Sequence, residues 1–176
     1  MRTALSIAGV AIFVLTAAGT ALAQGSGAEA RLKQLNITLP AAQAPAANFV
    51  NSVQAGKLLF LSGNTPGGQW PLKGKVGKDL TIEQGYESAR QTGLIMLGKI
   101  RTALGSLDRV KRVVKVLGMV NSADGFSDQP KVVNGFSDLM VEVFGEAIGK
   151  HARSAVGMAG LPGNAPVEVE MIVEVE

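Results

Sequence analysis

The chain has 176 residues, of which 47% are hydrophobic and 18% charged, so it can bury the core of one domain and its composition is not that of a disordered protein. The formal net charge of +3 is small and evenly spread, which argues against a nucleic-acid-binding protein. Cysteine is absent, which excludes disulfides, thiol catalysis and cysteine metal sites, and the single histidine, His151, argues against a histidine-based metal site.

The first 23 residues have the pattern of a secretory signal peptide. Arg2 gives a short positive segment, an apolar run covers residues 4–19, and Ala21-Leu22-Ala23 forms a cleavage motif before Gln24. An uncleaved membrane anchor is the alternative, but the apolar run is shorter than the ~20 residues that a spanning helix needs. The sequence therefore predicts an exported protein, periplasmic or secreted, that has no membrane segment after cleavage.

Residues 24–47 are predicted to be a flexible lead-in with one short helical turn, followed by a single domain over 48–176. The domain opens with two strands around a turn at Gly56-Lys57, and the apolar run 58–61 predicts a fully buried strand. Residues 67–79 are rich in glycine and lysine, which is typical of a surface loop.

Two helices are predicted in the middle of the domain. Thr81 and Gln84 have the spacing of a capping box that starts the first helix, and Gly105 is a natural helix stop. A β-rich segment, VKRVVKVLGMVN, follows. Apolar residues at helical spacing then predict a second helix over 131–148.

The C-terminal stretch HARSAVGMAGLPGNAPVEVEMIVEVE predicts two strands that form a hairpin around Pro162-Gly163. The element order β-β-α-β-α-β-β gives a mixed sheet with two helices on one face, which is an α+β two-layer sandwich. The other face of this sheet still carries apolar side chains and no helix is left to cover it. Oligomerisation through the sheet is the simplest solution.

Three stretches, taken in order, are similar to the RidA/YjgF/endoribonuclease L-PSP family. They are LLFLSGNTP, VVNGFSDLMVEVFGE and ARSAVGMAGLPGNAPVEVE, and the similarity runs from about residue 45 to the end. The resemblance implies a chorismate-mutase-like fold and a homotrimer whose ligand clefts lie between neighbouring subunits. It also implies hydrolysis of reactive 2-imino and 2-enamino acids to 2-keto acids and ammonia, with no cofactor and no metal.

The same resemblance assigns roles to individual residues. Arg153 matches the family's substrate-binding arginine, and a guanidinium can hold a carboxylate through two parallel hydrogen bonds. Glu168 matches the glutamate that orients and deprotonates a catalytic water. Further substrate-binding positions by the same match are the Ala155 carbonyl, Ser62, Gly63, Asn134 and Phe49.

Two of these positions depart from the family pattern. Phe49 falls where many members have tyrosine, and Ala155 replaces a residue that is often cysteine. Both departures put the usual substrate in doubt, whereas the arginine and the glutamate remain. Outside the motifs, His151 is expected at the surface and Trp70 is expected to anchor its loop; three further glutamates are expected to face solvent: Glu170, Glu174 and Glu176.

A hairpin centred on Pro162-Gly163 would pair Glu168 opposite Gly157. Since Arg153 lies an even number of residues from Gly157, this register predicts that Arg153 and Glu168 point to the same face of the sheet, roughly 13 Å apart along the strands. That gap can be closed by two long side chains, a small acid and a water. The register follows from the assumed turn.

Three functions compete at this point. The first is an exported imine or enamine deaminase, and the second is a non-enzymatic trimer that binds small carboxylates or a protein partner, which needs Arg153 but not Glu168. The third is a ribonuclease, which the sequence disfavours because it has no histidine pair and no lysine strip interspersed with aromatic residues. The family resemblance implies that aminoacrylate arises from cytoplasmic pyridoxal-phosphate enzymes, so an exported member would meet either a different substrate or none.

Overall fold

The computed structural model describes residues 27–45 and 47–176. The predicted signal peptide, 1–23, lies outside these residues. No helix in the two described segments has the length and the apolar character that a membrane crossing requires.

A five-stranded mixed sheet forms the centre of the fold. The strands are β1 (Ser52–Ala55), β2 (Leu58–Asn64), β3 (Val110–Asn121), β4 (Ala152–Met158) and β5 (Val167–Val175), and they lie in the order β1-β2-β5-β3-β4. The β3–β4 pair is parallel, and the other pairs are antiparallel. The helices are α1 (Ala28–Gln34), α2 (Ile82–Leu104), α3 (Gln129–Phe144) and α4 (Glu146–Gly149). This confirms the predicted α+β sandwich.

The alternation of buried and more exposed residues along β5 shows which face of the sheet is buried. Its valines and Met171 lie in the core, whereas Glu168, Glu170 and Glu174 point to the other side. Helices α2 and α3 pack on the core side and contribute residues such as Met96, Ile100, Phe136 and Leu139. The side of the sheet away from the helices, which we call the open face, has no helix over it in the described chain.

The predicted burial of strand β2 is wrong on the side that belongs to the open face. The run 58–61 was expected to be a fully buried strand, but only Leu59 and Leu61 are buried, and Phe60 is 41% exposed. Alternate residues of a strand point to opposite faces, so Phe60 projects from the open face together with Val53 of β1.

The first predicted helix is confirmed at both ends. The Thr81 hydroxyl accepts a hydrogen bond from the Gln84 amide at 3.2 Å, and the Gln84 side chain accepts one from the Thr81 amide at 2.9 Å. Gly105 ends the helix with a left-handed φ of 82°. The second helix is shorter than predicted, because Gly145 has a φ of 77° and separates α3 from α4.

The short helical turn predicted within 24–47 is confirmed as α1, but the prediction that this part of the chain is flexible is wrong. Leu32 of this helix is buried in the core. Glu29 makes two hydrogen bonds to the Arg101 guanidinium at 2.6 and 3.0 Å, and it also accepts one from the Leu107 amide. The segment before the first strand is therefore fixed to the domain.

The predicted C-terminal hairpin is also wrong. Strands β4 and β5 do not pair with each other, because β3 lies between them and pairs with both. The chain between them contains a short 3-10 helix, Pro162–Asn164, and it carries the chain across β3 rather than back along β4. The register that placed Glu168 opposite Gly157 therefore does not exist; Glu168 lies opposite Met119 of β3.

Candidate functional site

The predicted site residues fall into two groups on this chain. Glu168, Gly63 and Phe49 line one cleft, whereas Arg153 and Asn134 form a second group at the β4 edge of the sheet. The prediction that Arg153 and Glu168 point to the same face is wrong. Arg153 is hydrogen-bonded to α3 on the helix side, and Glu168 is on the open face.

The arginine group is built by one turn of α3 and the start of β4. The Nη1 atom of Arg153 donates to Asn134 Oδ1 at 2.9 Å and to Ser137 Oγ at 3.0 Å, and Nη2 donates to the Pro130 carbonyl at 3.4 Å. All three acceptors are neutral, and no carboxylate of the described residues pairs with this guanidinium. The group therefore retains its charge and donor sites for an external carboxylate.

His151 supports this arrangement, and its predicted position at the surface is wrong. The ring is half-buried; Nδ1 lies 2.7 Å from the Gly149 carbonyl and Nε2 lies 3.0 Å from Ser137 Oγ. A carbonyl can only accept, so Nδ1 carries the proton in the neutral ring and Nε2 accepts from the serine hydroxyl. Burial lowers the pKa of His151, and the nearby Arg153 charge lowers it further. The neutral ring thus orients the hydroxyl that holds Arg153.

The other group, which contains Glu168, Gly63 and Phe49, lies in a cleft of about 800 Å³ at the end of β2, which we call the Glu168 cleft. Its walls come from the segment before β1, the loop after β2, one face of α2, and β5. The lining residues are Pro40, Ala41, Gln43, Ala44, Pro45, Phe49, Asn51, Gly63, Asn64, Thr65, Pro66, Gly67, Gly68, Gln69, Trp70, Gln91, Ile95, Lys99, Pro162 and Glu168.

Glycine at position 63 makes room for the carboxylate. A β-bulge interrupts the β2–β5 pairing between Leu61 and Asn64, and a Cβ atom at Gly63 would collide with Glu168 Oε1. Bulges of this kind redirect side chains near functional sites. Gly63 of the LLFLSGNTP motif thus shapes the cleft because it has no side chain.

Glu168 is half-buried and makes no hydrogen bond or ion pair with the described residues. Burial raises the pKa of its carboxyl, and the negative charge of Glu170 raises it further. A carboxyl with a raised pKa is a stronger base once ionised, so Glu168 has the character expected of a general base.

Ser62 and Ala155 were both predicted to bind substrate, and the structure places them away from the Glu168 cleft. The Ser62 hydroxyl donates to the Val50 carbonyl at 2.6 Å, which ties the segment before β1 to β2, so this hydroxyl does not line the Glu168 cleft. Ala155 is partly buried on β4, two residues from Arg153 and on the same face.

Trp70 anchors its loop as expected, since Nε1 donates to Ser88 Oγ at 2.9 Å.

Sequence reasoning missed two polar residues of the Glu168 cleft, Asn64 and Lys99. Asn64 is buried, and its Oδ1 accepts a hydrogen bond from Lys99 Nζ at 2.5 Å. Helical spacing could have indicated Lys99, because it lies four residues after Ile95 and eight after Gln91 on one face of α2.

No cluster of three or more metal-ligating side chains occurs within the described ranges.

A family model described as "YjgF/chorismate_mutase-like, putative endoribonuclease" matches residues 29–175. The chain belongs to this family. The match begins inside α1, so the YjgF-type domain includes part of the segment that the sequence assigned to the lead-in.

Similar proteins agree with this family assignment. Protein TCP17 of Trypanosoma cruzi is 48% identical over 149 residues, which cover 82% of this chain and 92% of that protein. The crystal structure of Atu1372 from Agrobacterium tumefaciens is 40% identical, with a TM-score of 0.76 over 84% of this chain and 91% of that one. The 2-iminobutanoate/2-iminopropanoate deaminase of Dermatophagoides farinae is 29% identical over 140 residues, covering 80% of this chain and 95% of that protein.

Proposed function

We propose that this protein hydrolyses reactive 2-imino and 2-enamino acids to 2-keto acids and ammonia, in clefts that two neighbouring subunits of a homotrimer form together. One observation carries the proposal: a single chain holds both required groups, but on opposite faces of its sheet. Arg153 has no carboxylate partner among the described residues, and Glu168 is half-buried with a raised pKa. The chain thus has two complementary half-sites.

The arginine half-site binds the substrate carboxylate. Asn134, Ser137 and the Pro130 carbonyl hold the guanidinium by neutral acceptors, which fix its position without neutralising its charge. A fixed guanidinium binds a planar carboxylate through two parallel hydrogen bonds and so sets the plane of the adjacent imine.

The glutamate half-site supplies the water. An imine carbon is already electrophilic, so catalysis mainly needs a positioned water and a base for its proton. Glu168 takes this proton as the water oxygen bonds to the imine carbon, and the nitrogen receives a proton, giving a carbinolamine. Breakage of its carbon–nitrogen bond, with loss of the hydroxyl proton, releases ammonia and leaves the 2-keto acid.

The open face supports an assembly in which the half-sites of neighbouring subunits meet. It carries exposed apolar side chains, Val53 and Phe60, next to Leu117 and Ile172. The exposed edge strand β4 adds Val156 and Met158, which are 40% and 37% exposed. Burying such apolar area against other subunits is favourable and removes an unpaired sheet edge. A threefold ring would bring the β4 edge of one subunit towards the Glu168 cleft of the next.

The deaminase relative supports the reaction class, since a 29% identical protein of the same family carries the name 2-iminobutanoate/2-iminopropanoate deaminase. The two departures at Phe49 and Ala155 affect the lining of the site rather than its two charged groups. Phe49 is 55% exposed at the mouth of the cleft. We therefore expect the reaction to be retained and the preferred side chain of the substrate to differ.

A direct assay separates a deaminase from a binding module. An amino-acid oxidase generates the imino acid, and its disappearance is timed with and without the protein. For a deaminase, Glu168→Gln should lower the turnover rate by about 10²–10⁴-fold, the usual effect of losing a general base, while keto-acid affinity changes little. Absence of turnover in wild type, together with keto-acid binding that Glu168→Gln leaves intact, would instead show a non-enzymatic binding trimer.

Export is part of the proposal, on the pattern of residues 1–23 alone. The intact mass of the protein recovered from its native host tests it. Cleavage after Ala23 gives a chain that begins at Gln24, and an intact chain confined to the cytoplasm would contradict export.

A further inference from the structure

The size of the Glu168 cleft exceeds what a small imino acid requires. At about 800 Å³ it lies in the upper part of the range for pockets that hold drug-sized ligands, whereas an alanine-derived imino acid has only a methyl side chain. In the proposed trimer, the Arg153 end of a neighbour would occupy part of this volume. The α2 wall of the cleft is lined by Gln91, Ile95 and Lys99.

Lys99 is the cation on this wall. Its side chain is partly buried, and burial lowers its pKa. The ammonium has three N–H groups, but among the described residues it donates to one acceptor, Asn64 Oδ1. It forms no ion pair with any carboxylate in the described chain, including Glu168 in the same cleft. A partly desolvated cation without a counter-ion favours an anionic ligand group.

Lys99 and Glu168 both reach the end of β2 through neighbouring residues. Gly63 contacts the Glu168 carboxylate and Asn64 holds the Lys99 ammonium, and these two residues are consecutive at the end of β2. Consecutive Cα atoms are about 3.8 Å apart, and consecutive side chains point to opposite faces. Glu168 and Lys99 therefore approach the end of one strand from its two sides, and both line the same cleft.

We infer that the Glu168 cleft prefers a 2-imino or 2-keto acid with a second carboxylate, which Lys99 binds at the end away from the imine. This inference rests on the proposed function and specifies its substrate class. Arg153 of a neighbouring subunit holds the first carboxylate, Glu168 serves the imine carbon, and Lys99 selects the distal group. Asn64 is a positioning residue, since it fixes the ammonium by accepting its hydrogen bond.

Matched ligand pairs test the inference by calorimetric titration. The pairs are 2-oxoglutarate with 2-oxopentanoate, and 2-oxoadipate with 2-oxohexanoate, so that each pair has one chain length and differs in the distal carboxylate. Wild type should bind the diacid of at least one pair about 10- to 100-fold more tightly than its monoacid, the range expected for a charged hydrogen bond. The ratio of the two dissociation constants is the measured quantity.

Lys99→Gln can still donate to Asn64 but lacks the charge, so this ratio should fall to about one. Lys99→Arg keeps the charge and should keep a preference for the diacid. Lys78→Gln removes an exposed lysine that does not line the cleft, and it should leave the ratio unchanged.

Three results would overturn the inference. Equal binding of diacid and monoacid by wild type would remove Lys99 as a selector while leaving the deaminase proposal intact. A preference that persists in Lys99→Gln would assign the distal carboxylate to another group. Failure of wild type to bind any of the four keto acids would overturn the proposed function as well.

Discussion

Arg153 and Glu168 lie on opposite faces of the same β-sheet. Arg153 pairs with Val116 on β3 and its side chain bonds to α3, whereas Glu168 pairs with Met119 on the same strand and points to the open face. Two strand spacings and three residues of register separate their Cα atoms by roughly 14 Å. One chain cannot bring both groups to one small substrate, so a shared cleft needs two chains.

Assembly is the first prediction. The chain beginning at Gln24 should sediment as a trimer at micromolar concentration, because burial of the open face and of the β4 edge is favourable. Phe60→Asp places a charge in that buried surface and should shift the protein towards monomer. Val50→Asp is the control, since Val50 is exposed outside the sheet. A wild type that sediments as a monomer would contradict the shared cleft.

Substrate binding should depend on the paired N–H donors of the Arg153 guanidinium. Arg153→Lys keeps the charge but loses the paired hydrogen bonds, so the dissociation constant for pyruvate or 2-oxobutyrate should rise by about tenfold or more in a calorimetric titration. Arg112→Lys, at an exposed position of β3, should leave it unchanged. Unaltered affinity in Arg153→Lys would remove this residue from the site.

Gly63→Ala should separate activity from stability. The added methyl would collide with Glu168 Oε1, the mobile end of a side chain, and Gly63 does not have a left-handed φ. The melting temperature should therefore change little, whereas displacement of the carboxylate by about 1 Å should lower turnover by something like 10²-fold. Gly68→Ala, where an added Cβ meets open space, is the matched control. Full activity in Gly63→Ala would place the reacting water elsewhere.

The pH profile should report Glu168. A base must be ionised, so kcat/KM should fall as the pH falls through the pKa of Glu168, which burial and Glu170 raise above the ordinary value of about 4.3. Glu170→Gln removes one cause, so the acidic limb should move to lower pH. Glu174→Gln should leave the limb in place, because this residue does not contribute to the shift. If the acidic limb does not move in Glu170→Gln, the pH dependence belongs to a group other than Glu168.

The strands and helices of this fold could be predicted because their signals are local. Thr81 and Gln84 cap α2, Gly105 ends it, and the alternation of β5 marks its buried face. The pairing of the last two strands could not be predicted this way, since Pro162-Gly163 resembles a hairpin turn and only the intervening β3 shows otherwise.

The motifs identified the charged groups of the site but not what surrounds them. Arg153 and Asn134 were predicted as neighbours of the ligand, and the structure places them in contact. Ser137 and His151 were missed because their role depends on a contact between α3 and the start of β4, which no local pattern encodes. The contact between Lys99 of α2 and Asn64 of β2 was missed for the same reason.

The central claim is that each cleft takes Arg153 from one subunit and Glu168 from the next. Arg153→Ala removes the guanidinium and Glu168→Gln removes the base, so each variant should be nearly inactive alone, and the two can be unfolded together and refolded as mixed trimers. In an equal random mixture, about one quarter of the clefts would combine an intact arginine with an intact glutamate.

The measurement is the deaminase rate of this mixture against each variant refolded alone. The shared-cleft account predicts recovery to about one quarter of the wild-type rate. A mixture that is no more active than the separate variants, although it contains mixed trimers, would contradict it.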